Sequence, residues 1–87
     1  MALKFRKRAV VEETDLYRRR SWDSRDGRFS VSEFTRHLEG NQRVFYAEVL
    51  CRLPDGRDVW DVISCHRTRR AAEKACEQLA KRKLVNS

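Results

Sequence analysis

The sequence predicts an α+β fold in which a three-stranded antiparallel sheet packs against one C-terminal helix, in the order β-β-β-α. Two observations carry this prediction. The stretches 44–53 and 58–65 are rich in apolar and β-branched residues, and they flank PDGR (54–57), a typical hairpin turn. The residues after Thr68 are mostly strong helix formers. With 87 residues, the chain is expected to form one small domain at most.

Residues 1–20 show no clear periodicity. We expect a basic N-terminal arm or short extra element there, flexible through about residue 10, followed by a single small domain over residues 21–87. The start is basic, but no long apolar segment follows it, so a secretory signal is not expected. The stretch SWDSRDGR (21–28) is rich in turn formers and predicts a turn centred on Asp26-Gly27.

The first strand is predicted within RFSVSEFTRHL (28–38), with an irregularity. Phe29 and Val31 would share one face of a strand, whereas Phe34 would fall on the other. A bulge or bend near Ser32-Glu33 would reconcile them. The following EGNQR predicts a turn or loop.

The hairpin that follows has a predicted register, because Asp55-Gly56 is expected to form its central turn. The face beneath the helix would then hold the opposing pairs Val49 with Val62, Cys51 with Trp60, and Ala47 with Ser64. The reverse face is mixed, with Tyr46, Glu48, Leu50 and Arg52 beside Val59, Asp61, Ile63 and Cys65.

The last element is predicted to be an amphipathic helix capped by Thr68. Its apolar residues follow the spacing i, i+3, i+4, i+7 and form a narrow stripe: Ala72, Ala75, Cys76 and Leu79. Small residues in this stripe would let the helix lie close to the sheet.

The positive charge is concentrated at the two ends of the chain. The net charge is +7, and it divides into +4 over residues 1–20, −2 over 21–65 and +5 over 66–87. Solubility alone explains a net charge of this size, but it does not explain the segregation. The pattern favours a partner with dense negative charge, chiefly DNA or RNA.

Basic residues at the start of the predicted helix are the most function-like feature. Cations there oppose the helix dipole, at a cost of about 0.3–1 kcal/mol unless an anion compensates. A structural alternative is that they pair with Glu73 or with acidic residues of the sheet. The residues expected to contact phosphates are Arg67, Arg69, Arg70 and Lys74 of the helix region and Lys4, Arg6, Lys7 and Arg8 of the N-terminal arm.

Catalysis is not expected. His37 and His66 are the only histidines, and neither has sequence neighbours that resemble a nucleophile motif or a metal-ligand set. We therefore predict a protein that is not an enzyme and has no cofactor or metal. Three cysteines without CxxC spacing suggest reduced thiols, and no apolar run approaches the ~20 residues of a membrane span. A cytoplasmic location without membrane contact is expected.

The stretch from Tyr46 to Leu79 contains a YAEV strand, the PDGR turn, a second strand and SCHRTRRAAEKA. It resembles the arm-type DNA-binding domains of phage and transposon integrases. That resemblance implies a three-stranded sheet backed by one helix, whose exposed sheet face enters the DNA major groove. The implied reading residues are Tyr46 and Arg52, with Arg57 as a third candidate. The chain departs from the pattern where Glu48 and Asp61 occupy a face that should be basic.

The last helix carries a second resemblance. TRRAAEKACEQLA (68–80) is similar to the final helix of double-stranded RNA-binding domains, with Thr68, Arg69 and Arg70 in place of that family's Ser-Lys-Lys. This resemblance implies phosphate contacts across the RNA major groove.

A protein–protein interaction module is the alternative function. The mixed reverse face and an edge strand of the sheet could serve a homodimer or an adaptor.

Overall fold

The computed structural model describes residues 3–9, 11–40 and 42–85. Within these ranges it is an α+β fold in which one helix lies on one face of an antiparallel sheet. The elements are β1 (Phe5–Lys7), β2 (Glu12–Glu13), β3 (Tyr17–Ser24), β4 (Phe29–Arg36), a 3₁₀ turn (His37–Glu39), β5 (Gln42–Arg52), β6 (Asp58–His66) and α1 (Arg69–Val85). The strands are ordered β1-β3-β4-β5-β6, and β2 also pairs with β3. We call the face under α1 the helix side and the opposite face the open face.

The expectation of three strands is wrong, because the sheet has six strands within the described residues. The additional strands arise from the residues expected to form an arm or extra element. Phe5–Lys7 and Glu12–Glu13 both pair with β3, and the domain boundary expected at residue 20 falls inside β3. The sequence YRRRSWDS of β3 does not look like a strand, because three consecutive arginines interrupt the alternation of apolar and polar residues. Arg20 meets Glu33 of the adjacent strand β4, and Arg19 meets Glu48 of β5, one strand further on.

The turn predicted at Asp26-Gly27 is confirmed. It joins β3 to β4, and the Gly27 N–H donates to the carbonyl of Ser24 at 2.9 Å. Gly27 has a φ of +75°, a conformation that favours glycine. The turn is only four residues long, so Trp22 and Ser24 belong to β3 instead of to a loop.

Strand β4 is regular, so the bulge expected near Ser32-Glu33 is wrong. Residues 29–36 pair without a register shift on both sides. Glu33 therefore lies on the helix side with Phe29 and Val31, where the apolar pattern calls for another hydrophobic residue. Phe34 faces the other way and stacks on Tyr17, with ring centroids 4.7 Å apart.

The β5–β6 hairpin has a three-residue loop instead of the predicted two-residue turn. Leu53 and Arg57 close the loop, and the Gly56 N–H donates to the Leu53 carbonyl at 2.9 Å. Pro54 fits this arrangement because it follows Leu53 in the turn and has no N–H to donate. Gly56 takes the left-handed position, with a φ of +91°.

This loop changes which residues of β6 face the helix. Ala47 lies opposite Ser64 as predicted, but a bulge next to Ala47 shifts the register by one towards the turn. Leu50 is therefore the partner of Trp60, which lies on the open face and not in the core. Asp61 is the partner of Val49 and lies on the helix side, not on the open face.

The helix and its apolar stripe match the prediction. The Ala71 N–H donates to the Thr68 hydroxyl oxygen at 3.2 Å, which caps α1. Ala72 and Cys76 are fully buried, and burial raises the pKa of the Cys76 thiol to about 11. The core between sheet and helix consists of Trp22, Phe29, Val31, Phe45, Ala47, Val49, Ala72 and Cys76. Across the described ranges, no helix combines the length and apolar character required to cross a bilayer.

Candidate nucleic-acid interface

Trp22 of β3 lies at the centre of the candidate interface. It is almost fully buried beside the first turn of α1. The Arg69 guanidinium lies over its ring at 4.9 Å from the centroid, and that of Arg20 lies at 5.4 Å. Cation–π contacts of this kind attract both guanidinium groups to the ring and favour these positions. The group Arg20, Trp22, Glu33, Arg43, Arg69, Arg70 and Glu73 is called the Trp22 cluster below.

Glu33 is the buried acid of the Trp22 cluster. Its side chain is only 2% exposed, so its charge requires partners. The Arg20 Nε donates to Glu33 Oε1 at 2.8 Å, and a terminal nitrogen of Arg20 lies 2.7 Å from the same oxygen. A terminal nitrogen of Arg43 lies 3.9 Å from the other carboxylate oxygen. One buried carboxylate thus holds two arginines from β3 and β5.

Glu73 is the second acid, and it belongs to α1 itself. Arg69 Nε lies 3.3 Å from one Glu73 oxygen, and a terminal nitrogen of Arg70 lies 3.8 Å from the other. The structural alternative left open by the sequence is therefore present, because Glu73 partly compensates these cations. The cluster as a whole still holds four arginines against two glutamates.

Residues of the N-terminal segment are divided between the two faces of the sheet. Lys7 is the Cα partner of Trp22, which puts it on the helix side, whereas Arg6 is the partner of Asp23 on the open face. Arg8 forms two bonds to the Asp23 carboxylate, at 3.0 and 2.6 Å. These hydrogen bonds raise the pKa of Arg8 and lower that of Asp23. The groove along β1 is lined by Lys4, Phe5, Arg6, Lys7, Arg8, Ala9, Asp23, Ser24 and Arg25.

Arg67 and Lys74 complete the predicted helix residues. Both are exposed, and neither forms an ion pair with any other described residue. Lys74 lines a separate shallow groove on the outer side of α1 with Glu77, Gln78 and Lys81. It therefore lies outside the Trp22 cluster.

The open face carries Tyr46 and Arg52, the residues implied by the integrase resemblance. Tyr46 is half-buried opposite Cys65, and Arg52 Nε donates to Asp58 at 3.1 Å. The sequence predicted two acidic residues on this face, Glu48 and Asp61, but only Glu48 lies there. Glu48 is 6% exposed and accepts a hydrogen bond from Ser32, and Asp61 lies on the helix side.

Sequence reasoning identified Arg69 and Arg70 but missed Trp22, Arg20 and Arg43. Their grouping depends on the register of β3, which the sequence did not reveal. One available signal was Glu33, two positions after Val31 on the face of β4 that should be apolar. A buried carboxylate at that position requires cations on the neighbouring strands.

No family model, curated protein or solved structure matches this chain. Among the described residues, no three His, Cys, Asp or Glu side chains lie close enough together to hold a metal ion. The chemistry offered by the candidate interface is that of arginine guanidinium groups, which suit phosphates.

Proposed function

We propose that this protein is a small, non-catalytic nucleic-acid-binding domain that contacts phosphates through the basic surface around Trp22. One observation carries the proposal: the two basic ends of the chain meet at this residue. Lys7 of the N-terminal segment is its Cα partner, and Arg69 of α1 lies over its ring. Basic residues from both ends of the chain, Lys7 and the helix arginines, therefore lie on one surface, which supports binding to a polyanion.

The arginines of the Trp22 cluster are suited to phosphate by their geometry. Arg20 and Arg69 are held against the indole ring, so their planar donors are already oriented. Glu33 and Glu73 keep the arginines in place but do not balance their charge. Arg70 is 67% exposed and can exchange its long contact with Glu73 for a phosphate oxygen.

Phosphate contacts position a protein on nucleic acid without reading the sequence. Both DNA and RNA are therefore proposed partners. The remaining proposed phosphate contacts are Arg67, Lys74, Lys4, Arg6 and Arg8. Tyr46 and Arg52 belong to a separate proposed contact region on the open face, where a tyrosine ring could stack on a base.

The test is a binding measurement by fluorescence anisotropy with duplex DNA, duplex RNA and single strands over a range of salt concentrations. Affinity is expected to fall steeply as salt rises. The double variant Arg69→Gln/Arg70→Gln is expected to bind more weakly, and its salt slope should decrease by about one for each lost phosphate contact.

The matched control is Lys81→Gln/Arg82→Gln, which removes two positive charges near the other end of α1. Arg82 lies twelve positions after Arg70, which is about 18 Å along the helix axis. This control should bind almost as well as the wild type. Absence of binding to any nucleic acid at low salt, or binding that does not depend on salt, would refute the proposal.

Binding to another protein is a second candidate function, favoured by the exposed edge of the sheet. β6 pairs only with β5 among the described strands, so its outer backbone groups are available to a further strand. Val62 and Ile63 of β6 are 50% and 36% exposed. Sedimentation at several protein concentrations tests a homodimer, and a monomer at every concentration would exclude that form.

A further inference from the structure

Beyond the N-terminus of α1, the helix side of the sheet continues as a row of three residues from three strands. Thr35 of β4 is the central residue, and its Cα partners are Arg18 of β3 and Arg43 of β5. It lies two positions beyond Glu33 on the same face, next to the Trp22 cluster. The row therefore extends the basic surface proposed to bind nucleic acid.

Two polar atoms in this row are buried without a partner among the described residues: the Thr35 hydroxyl and the Arg18 Nε. Thr35 is only 4% exposed. Buried polar atoms without a hydrogen-bond partner are unfavourable and uncommon. Here both such atoms belong to residues that pair directly, Arg18 of β3 and Thr35 of β4. Glu13 is the Cα partner of Arg18 on β2, yet the two form no ion pair in the described structure.

Arg43 completes the row as a movable cation. Its side chain is 60% exposed, and its contact with Glu33 is long, at 3.9 Å. It can therefore turn towards a ligand at Thr35 while Arg20 continues to hold Glu33. The three strands are spaced about 4.8 Å apart, so a ligand above Thr35 would face donors on both sides and below.

We propose that Arg18, Thr35 and Arg43 form a phosphate-binding site, which takes one phosphate group of the nucleic acid bound at the Trp22 cluster. The Arg18 Nε–H can only donate, and the Thr35 hydroxyl can donate or accept, so a ligand that serves both must supply acceptors, and the two arginines favour an anion. A terminal phosphate presents three free oxygens and an internal phosphodiester two, and their tetrahedral arrangement lets donors on three strands reach the group from different directions. The nucleic-acid part of this inference rests on the proposed function.

The site is tested first with inorganic phosphate, by NMR of the ¹⁵N-labelled protein. The buried Arg18 Nε–H should give its own signal, and that signal and the Thr35 amide are expected to shift saturably with phosphate. Sodium chloride at the same ionic strength should not reproduce the shifts. The shifts should be lost in Thr35→Val, which removes the hydroxyl and keeps the shape of the side chain.

The second part measures nucleic-acid affinity of the same variant. Thr35→Val is expected to weaken binding about tenfold, as for a lost hydrogen bond to a charged group. The same measurement is repeated with 5′-phosphorylated and 5′-hydroxyl oligonucleotides. A difference between them that Thr35→Val abolishes identifies a terminal phosphate as the occupant, whereas equal affinity for both identifies an internal one.

The outcomes separate this inference from the proposed function. If phosphate produces no shifts and Thr35→Val binds nucleic acid like the wild type, the site is refuted, although the Trp22 cluster can still bind. If phosphate shifts both signals but no nucleic acid binds, the phosphate site is supported and the proposed function fails. Circular dichroism checks that Thr35→Val remains folded, as expected for a change of similar shape.

Discussion

Replacing Glu33 by glutamine is expected to destabilise the fold and, at the same time, to strengthen nucleic-acid binding. Glu33 is the buried carboxylate that holds Arg20 and Arg43. Without its charge, both arginines lose their ionic partner inside the sheet. They also become free to attract phosphate, because no neighbouring anion competes for them.

The size of the destabilisation follows from the burial of the partners. Removing one member of a fully buried ion pair costs about 3–5 kcal/mol. Arg20 is 27% exposed and Arg43 is 60% exposed, so water partly solvates both in the variant. Glutamine also keeps one oxygen as an acceptor for Arg20. We therefore expect a loss of about 2 kcal/mol in the free energy of unfolding.

The gain in affinity is smaller. Removing a negative charge a few ångströms from a phosphate near the surface removes a repulsion of about 1 kcal/mol, which corresponds to roughly fivefold tighter binding. This opposite movement of stability and affinity is specific to the proposed interface. A variant that only damaged the fold would lower both.

Stability is measured by urea unfolding followed by far-ultraviolet circular dichroism, and affinity by anisotropy under conditions where the variant is folded. Arg43→Gln is the control for stability, because its long, exposed contact should contribute less than about 1 kcal/mol. The single and double variants of Arg20 and Glu33 form a double-mutant cycle that isolates their coupling. Unchanged stability in Glu33→Gln, or weaker binding by the folded variant, would contradict the reasoning.

Three further predictions concern the fold. Arg8 lowers the pKa of Asp23. The pair therefore stabilises the folded state fully at pH values above the ordinary Asp pKa of about 3.9. This stabilisation is lost as the pH falls through the lower pKa that Asp23 has in the folded state. Asp23→Asn should therefore cost about 0.5–1 kcal/mol at neutral pH and almost nothing in strong acid, measured by urea unfolding at both; an equal cost at both would contradict the pairing. Thr68→Ala should lower stability by about 1 kcal/mol through loss of the helix cap, whereas Thr68→Ser should retain it, as thermal unfolding can show. Gly56→Ala should lower the stability of the fold by about 1–2 kcal/mol because the φ of Gly56 is +91°. No atom lies within 4 Å of an added Cβ, so the backbone conformation alone is responsible. Gly56→Asn should lose less stability in the same thermal assay.

The hairpin and the helix were predictable because each carries a local signal that neighbouring elements do not override. Residues 54–57 specify a turn between two apolar runs, and Thr68 with the small-residue stripe specifies a capped, close-packed helix. The exact register was not predictable, because a three-residue and a two-residue loop both satisfy the same turn residues. That one-residue difference moved Trp60 and Asp61 to the opposite faces.

Strand β3 was not predictable, because the residues that stabilise it are distant in the sequence. Arg19 and Arg20 look like solvent-exposed residues until β5 places Glu48 beside Arg19 and β4 places Glu33 beside Arg20. The same reason explains why only two of the four arginines of the Trp22 cluster were found. The helix arginines stand out locally, whereas the sheet arginines become part of a site only through strand pairing.

The two faces of the sheet differ in how fully they balance their own charge, and this difference bears on which one contacts nucleic acid. On the open face, the recorded ion pairs match one arginine to one carboxylate: Arg8 with Asp23, Arg19 with Glu48, and Arg52 with Asp58. A phosphate that binds one of these three arginines must displace its carboxylate. In the Trp22 cluster, each carboxylate is shared by two arginines, so a phosphate can be accommodated without displacing either glutamate. We therefore propose that the phosphates of a nucleic acid contact the Trp22 cluster first. Tyr46 would contact a base only if the same nucleic acid also extends to the open face of the sheet.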